Sequence, residues 1–311
     1  MGVSFAELLA RLSPADVGTF RVHPIPGARE HYVGRSATGQ PCVLLGSSAG
    51  RLHAPVRLAA IEVRFCVACR INPLDGDARE EVLTVVTCTS EEAQVQGYFL
   101  HVCETIVRIL GPALSQASVV NVVQRLIDLF QRLTRQSSRS VFGLIGELQI
   151  LACSRDAPMA ARAWRSEDAE RFDFAIGDAR LDVKASGERV RIHFLSAEQC
   201  RPPPGTIGIL ASLFVESSGG GMSLQELVRE VERRLASHGD LVLKVEEVVA
   251  ETLGEALPTA LGMRFAERLA RASLQLYDLA VVPAVRDGIP AEVTQVRFRS
   301  DLSRTPTLAL S

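Results

Sequence analysis

The chain has 311 residues, enough for one large domain or two ordinary ones, and 47% of them are apolar, so a packed core is expected rather than disorder. Its formal net charge of −2 excludes a histone-like or tail-type nucleic-acid binder but leaves room for a local basic groove. No apolar run approaches the ~18–20 residues that span a bilayer, and seven scattered cysteines read as reduced thiols of a cytoplasmic protein.

The start "MGVSFAELLARLSP" fits neither a signal peptide nor an N-myristoylation pattern and reads as a short amphipathic helix over 2–12. From about 19 to 88 the pattern is strand-like, in "HYVGRSA", "PCVLLGS", "IEVRFCVACRI" and "EVLTVVTCT". Helices are expected over 90–110, capped by Thr89 or Ser90, over 117–136, and over 137–154 behind a serine cap. A short helix around Trp164 precedes a hairpin at 171–186, a strand at 190–196, a short helix at "SAEQC" and a strand at 206–216. "SSGGGMS" (217–223) reads as a flexible turn into a helix. A further helix over 240–253 and two strands, "ASLQLYDLAVV" and "VTQVRFRSDL", follow.

Three motifs point nowhere. "GSSAG" (46–50) matches a nucleophile elbow at Ser48 but lacks the helix that must follow it. "CVAC" (66–69) has no second cysteine pair for zinc and, as a strand, would send its thiols to opposite faces. The glycines of "SSGGGMS" lack the Gly-Lys-Ser/Thr ending of a phosphate loop.

The hairpin "RFDFAIGDARLDVKAS" carries the chemistry. Alternation puts Phe172, Phe174, Ile176, Leu181, Val183 and Ala185 on an apolar face and Asp173, Asp182 and Lys184 on the other. A two-residue Gly177-Asp178 turn pairs Ile176 with Ala179 and sets Asp173 opposite Asp182, whereas a three-residue loop would separate them. Like charges facing each other destabilise a sheet, and a hard divalent cation between them reverses the sign. A solvated surface hairpin is the ordinary alternative. Lysine occurs only at Lys184 and Lys244 in an arginine-biased chain, a hint that arginine would not serve at 184. Glu147, on the apolar helix "GLIGELQIL", supplies a further carboxylate, and Gly143 and Gly146 would let that helix approach a sheet or ligand closely.

The order of helix with Glu147, strand with Asp173, strand with Asp182-Val183-Lys184, strand, helix and strand resembles the αβββαβ core of the PD-(D/E)XK nuclease superfamily. "GLIGELQIL", Trp164, "FDF", "DVKAS" and "FLSAEQC" look like a bacterial family of that superfamily associated with restriction-modification and phage-defence gene clusters. The likeness is closest over 137–216, extends to "LQLYDLAVVPAVRDGIPAEVTQVRFRSDL", and is looser in the N-terminal third; Phe172 stands where the superfamily name has proline.

The resemblance implies an α/β (mixed α+β) protein divided into a β-rich and two-helix region (1–135), a restriction-endonuclease-like core (136–238) and a helix-and-strand extension packed on the core (239–311). It implies Mg²⁺, replaceable by Mn²⁺, held by Asp173, Asp182 and Glu147, with the Val183 carbonyl as a further ligand and Lys184 acting on the attacking water. Ser186, Gln199, Arg191 and His193 are the expected supporting or phosphate contacts. The implied activity is DNA endonuclease, working with a helicase/ATPase or methyltransferase-associated subunit and no membrane. The alternative is an inactive DNA-binding or assembly subunit that keeps the fold. A modest basic cluster, Arg132, Arg135 and Arg139, leads into the Glu147 helix.

Overall fold

Ser4 and Glu7 cap each other's backbone at the start of α1 (Phe5–Ala10). From there the computed structural model describes residues 4–46, 53–111, 115–137, 140–166 and 171–309. Ser48 of the nucleophile-like motif and Arg139 of the basic cluster lie outside the described residues. Two compact units emerge, Met1–Gln136 with Val242–Pro258, and Ser137–Leu241 with Thr259–Ser311.

In the first unit, β1 (Thr19–Ile25), β2 (Ala28–Arg35), β3 (Pro41–Gly46), β4 (Val56–Arg57), β5 (Ile61–Pro73) and β6 (Arg79–Cys88) form one sheet. Strand β1 pairs antiparallel with β2 and parallel with β5, so the sheet closes on itself. Its inward residues, among them Phe20, Val22, Tyr32, Leu44, Ile71, Leu83 and Val85, make one core. A bulge between Arg64 and Val67 bends β5, with Cys66 at φ 48°. This is why the Cys66/Cys69 pair does not follow simple alternation. All seven cysteines are free; Cys42, Cys88, Cys103 and Cys200 are buried, but Cys153 is exposed.

Two helices follow, α2 (Ala93–Leu110) and α3 (Gln116–Arg132). The first starts later than the sequence suggests, because Ser90 bonds the Glu92 N–H in the preceding loop instead of capping the helix. Arg132 bonds the Glu247 carbonyl and pairs with Glu251 within the same unit, so the expected basic cluster is partly neutralised.

The second unit holds the hairpin. Its elements are α4 (Val141–Cys153), α5 (Ala157–Ala163), β7 (Phe174–Ile176), β8 (Ala179–Ser186), β9 (Ile192–Ser196), β10 (Ile207–Phe214), β11 (Ser217–Ser223) and α6 (Leu224–Arg234). Then come α7 (Gly239–Leu253), most of which belongs to the first unit, α8 (Leu257–Leu261), β12 (Arg264–Phe265), α9 (Glu267–Ala272), β13 (Gln275–Asp278) and β14 (Arg297–Asp301). The main sheet has the order β13-β10-β8-β7, with β8 and β10 parallel. The fold is mixed α/β, as the sequence led us to expect.

Three local expectations change. Strand β9 pairs with β14 rather than extending the hairpin sheet. "SAEQC" forms a turn, and "SSGGGMS" forms β11, paired with β12.

Helix α4 is apolar all round and buried on most faces, so it lies inside the unit, packed on β8 and α6. Gly146 makes this possible: a Cβ there would lie 3.2 Å from both Ala185 Cβ and Val183 Cγ1 and 3.3 Å from Leu213 Cδ2. Gly143 has no such constraint. Gly146→Val is therefore expected to destabilise the second unit by about 1–3 kcal/mol through overpacking, read as a lowered denaturation midpoint, with Gly143→Ala near neutral or stabilising. Equal effects at the two glycines would contradict this packing.

Candidate active site: an acid pair and a lysine on a covered hairpin

The Gly177-Asp178 turn sets the register Ile176↔Ala179, Ala175↔Arg180 and Phe174↔Leu181. One step further out, the Asp173 N–H donates to the Leu181 carbonyl at 3.0 Å, and the Asp173 carboxylate accepts the Val183 N–H at 2.8 Å. Asp173 thus sits beside Asp182, as a two-residue turn requires.

Parallel register places Leu210 beside Asp182 and Ser212 beside Lys184, so these four share one sheet face. That face is not solvated. Asp182 is 2% exposed. Its Oδ2 pairs with Lys184 Nζ at 2.9 Å, and its Oδ1 accepts from Gln199 Nε2 at 2.8 Å. Gln199 is in turn fixed by reciprocal bonds with Ser196.

Glu147 is buried on α4. A buried carboxylate needs compensation, and here Trp164 Nε1 donates to Oε2 at 2.6 Å while Arg165 grips both oxygens, at 2.8 and 3.0 Å. Arg165 takes φ 44°, and its backbone N–H donates to the Asp173 carbonyl at 2.7 Å. One residue thus ties the glutamate to the strand that carries the first aspartate. Sequence reading passed over Arg165. The available signal was an arginine next to Trp164, upstream of the hairpin, combined with an acid on an otherwise apolar helix.

The other expected contacts are engaged within the protein. Ser186 closes its own turn with Glu188. Arg191 donates to the Ser212 carbonyl and hydroxyl, both at 2.9 Å, and to the Ser273 carbonyl, and it stacks on Phe214. His193 meets the same Ser212 hydroxyl at 2.8 Å and is buried. These two share a face, but it points inward. Burial, and then the charges of Lys184 and Arg191, push the His193 imidazole down to about 4.

The electrostatic balance falls on Asp173. Burial, then Glu147, then Asp182 push its carboxyl up to about 8, against the Val183 N–H and the charge of Lys184. A cluster that holds one of its carboxyls protonated is short of positive charge, and its donors are hard oxygens, so the residues fit a divalent cation of the magnesium, manganese or calcium type. Glu147, Asp173 and Asp182 do not offer, one oxygen each, a set of atoms all within 4.8 Å of one another. The close pair is carried by the hairpin, while Glu147 is engaged by Arg165.

This shift carries a pH signature. A carboxyl raised from 3.8 to about 8 by folding adds stability that is fully present below about pH 4 and lost as pH rises through about 8. His193, lowered from 6.5, works oppositely below that value, so the clean window lies between about pH 7 and 8. Thermal melts in chelator should fall across that window and flatten in Asp173→Asn. An unchanged slope in the variant would assign the titration to another group.

The protein is of a mixed α/β fold consistent with the PD-(D/E)XK type, with two acids and a lysine, the second acid and the lysine at D-x-K spacing, on a covered hairpin. A family model described as "Putative PD-(D/E)XK family member (DUF4420)" matches residues 4–303, nearly the whole chain, and the chain belongs to that family. No curated protein and no solved structure matches it. Among the described residues no helix is long and apolar enough to cross a membrane.

Proposed function

We propose that the protein is a Mg²⁺-dependent DNA endonuclease, with Mn²⁺ able to substitute, acting as the cleavage subunit of a restriction or phage-defence system. The observation that carries the reading is geometric: the hairpin register sets Asp173 beside the buried Asp182, which pairs with Lys184 at 2.9 Å, and burial, Glu147 and Asp182 together push the Asp173 carboxyl up, a state that a divalent cation would relieve. Asp173 and Asp182 would hold the ion, with Glu147, whose oxygens are held by Arg165 and Trp164, completing its shell through water. Bound there, a divalent cation supplies charge to the scissile phosphate and acidifies a bound water. Lys184, beside Asp182, would orient or deprotonate the attacking water, and the second of these roles is closed to arginine because it keeps its proton. Gln199 holds the Asp182 carboxylate in place.

A second reading, an inactive DNA-binding or assembly subunit, is favoured by one observation: Glu147 is already satisfied by Arg165 and Trp164. Purified protein incubated with Mg²⁺ on plasmid and short duplexes at near-physiological salt separates the two. Slow or indiscriminate metal-dependent nicking supports the nuclease reading, with target choice supplied by a helicase-like or methyltransferase-associated partner. Absence of cleavage with any divalent cation, with or without such a partner, supports the assembly subunit. Tight sequence-specific cutting by the chain alone would remove the need for the partner.

A further inference from the structure

Strands β9 and β14 form a two-stranded ribbon whose inner side is buried through His193, Leu195 and Ser300. Its outer side opposes Phe194 to Arg299 and Ser196 to Arg297. Phe194 is 69% exposed, and the Arg299 guanidinium lies 5.6 Å from its ring centroid. An exposed phenylalanine alone carries little, since apolar atoms make up much of any protein surface. This one also lines a cleft of about 310 Å³ together with Arg171, Lys184, Gln199, Gln295 and Arg297. Among the residues lining that cleft, three are cations and none is acidic, in a chain of net charge −2. Lys184, one of the residues lining the cleft, is paired with Asp182.

We propose that the outer face of the β9–β14 ribbon binds a single-stranded segment of nucleic acid, an unpaired base stacking on Phe194 and the adjoining phosphates lying against Arg297, Arg299 and Arg171 on the way to Lys184. The occupant follows from charge and shape. A polyanion complements the arginines, but phosphates alone would not require an exposed ring. The ring face is accessible to a base only when that base is unpaired, and stacking of this kind tolerates any sequence. The cleft, of about 310 Å³, lies at the small end of ligand pockets. The direction of the strand toward Lys184 rests on the nuclease reading; the binding itself does not.

The experiment uses full-length protein in chelator, so that binding is read without cleavage. The probe is a 2-aminopurine-containing oligothymidylate, with a matched duplex as comparison. Wild type should quench 2-aminopurine and prefer the single strand. Phe194→Ala should bind about 5–150-fold more weakly, the range given by one stacked base, and Phe194→Tyr should restore binding. Arg297→Ala should reduce the slope of log affinity against log salt by about 0.7, one phosphate contact on a single strand. Because these side chains are exposed, melting curves of the variants should match wild type. Three results would each overturn the proposal: no single-strand binding by wild type at low salt, equal binding by wild type and Phe194→Ala, or a preference for duplex that Phe194→Ala leaves intact. The last two would leave the ribbon to a protein partner or to phosphate contacts alone. Binding as described with no metal-dependent cleavage would instead sustain this site while the nuclease reading failed.

Discussion

Asp182→Asn is expected to lower phosphodiester cleavage by about 10²–10³-fold, the scale on which a single electrostatic partner of a reaction is felt, while the protein stays folded. The asparagine carbonyl can keep the Gln199 hydrogen bond, but the anion facing Lys184 is gone. Two stability effects oppose each other. The buried ion pair with Lys184 is lost, and the repulsion that Asp182 exerts on Asp173 is relieved. The melting temperature in chelator should therefore change little, and the activity loss cannot be traced to unfolding. Lys184→Arg is the informative companion. It keeps a cation beside Asp182 but not one that can be deprotonated, so a loss comparable to Lys184→Ala assigns the residue a proton-handling role, and substantial retained activity assigns it charge alone. Cleavage unaffected by Asp182→Asn would place the active site elsewhere.

The second large effect is structural. Arg165→Ala removes the guanidinium that grips both oxygens of Glu147, whose side chain is 6% exposed, and leaves a buried carboxylate with Trp164 Nε1 beside it. Removing one partner of a buried pair costs about 3–5 kcal/mol. For a unit of this size that corresponds to a drop on the order of 10 °C in the melting temperature. Adding Glu147→Gln to Arg165→Ala should recover part of the loss, because the uncompensated charge disappears. If the double variant were less stable than Arg165→Ala, the damage would come from lost packing of the arginine over Trp164 and not from charge.

The parts of this site legible in the sequence are those set by local rules. A two-residue Gly177-Asp178 turn with Gly177 at φ 57° fixes the register, and the register fixes Asp173 beside Asp182. The closeness of α4 to β8 was likewise legible at Gly146, although not which of its two glycines mattered. What could not be read is non-local. Strand β9 pairs with β14, far along the chain, and that pairing, together with the alternation within β9, turns His193 inward against Ser212. The "SSGGGMS" segment becomes β11 because Arg264 and Phe265 come back to pair with it. Arg165 was invisible because its role depends on how deeply Glu147 is buried. Phe172 leaves the expected hairpin face and packs with Leu195, Leu210 and Tyr277, since β7 begins only at Phe174.

The central claim is that Asp173 and Asp182 share a divalent cation, and calorimetric titration of Mn²⁺ into the full-length protein near pH 7 tests it most directly. Because the Asp173 carboxyl is raised to about 8, binding there should displace a proton, seen as a binding heat that depends on the ionisation enthalpy of the buffer. The account predicts a binding event with proton release in the wild type that is lost in both Asp173→Asn and Asp182→Asn. Identical Mn²⁺ isotherms for the wild type and both variants would contradict it.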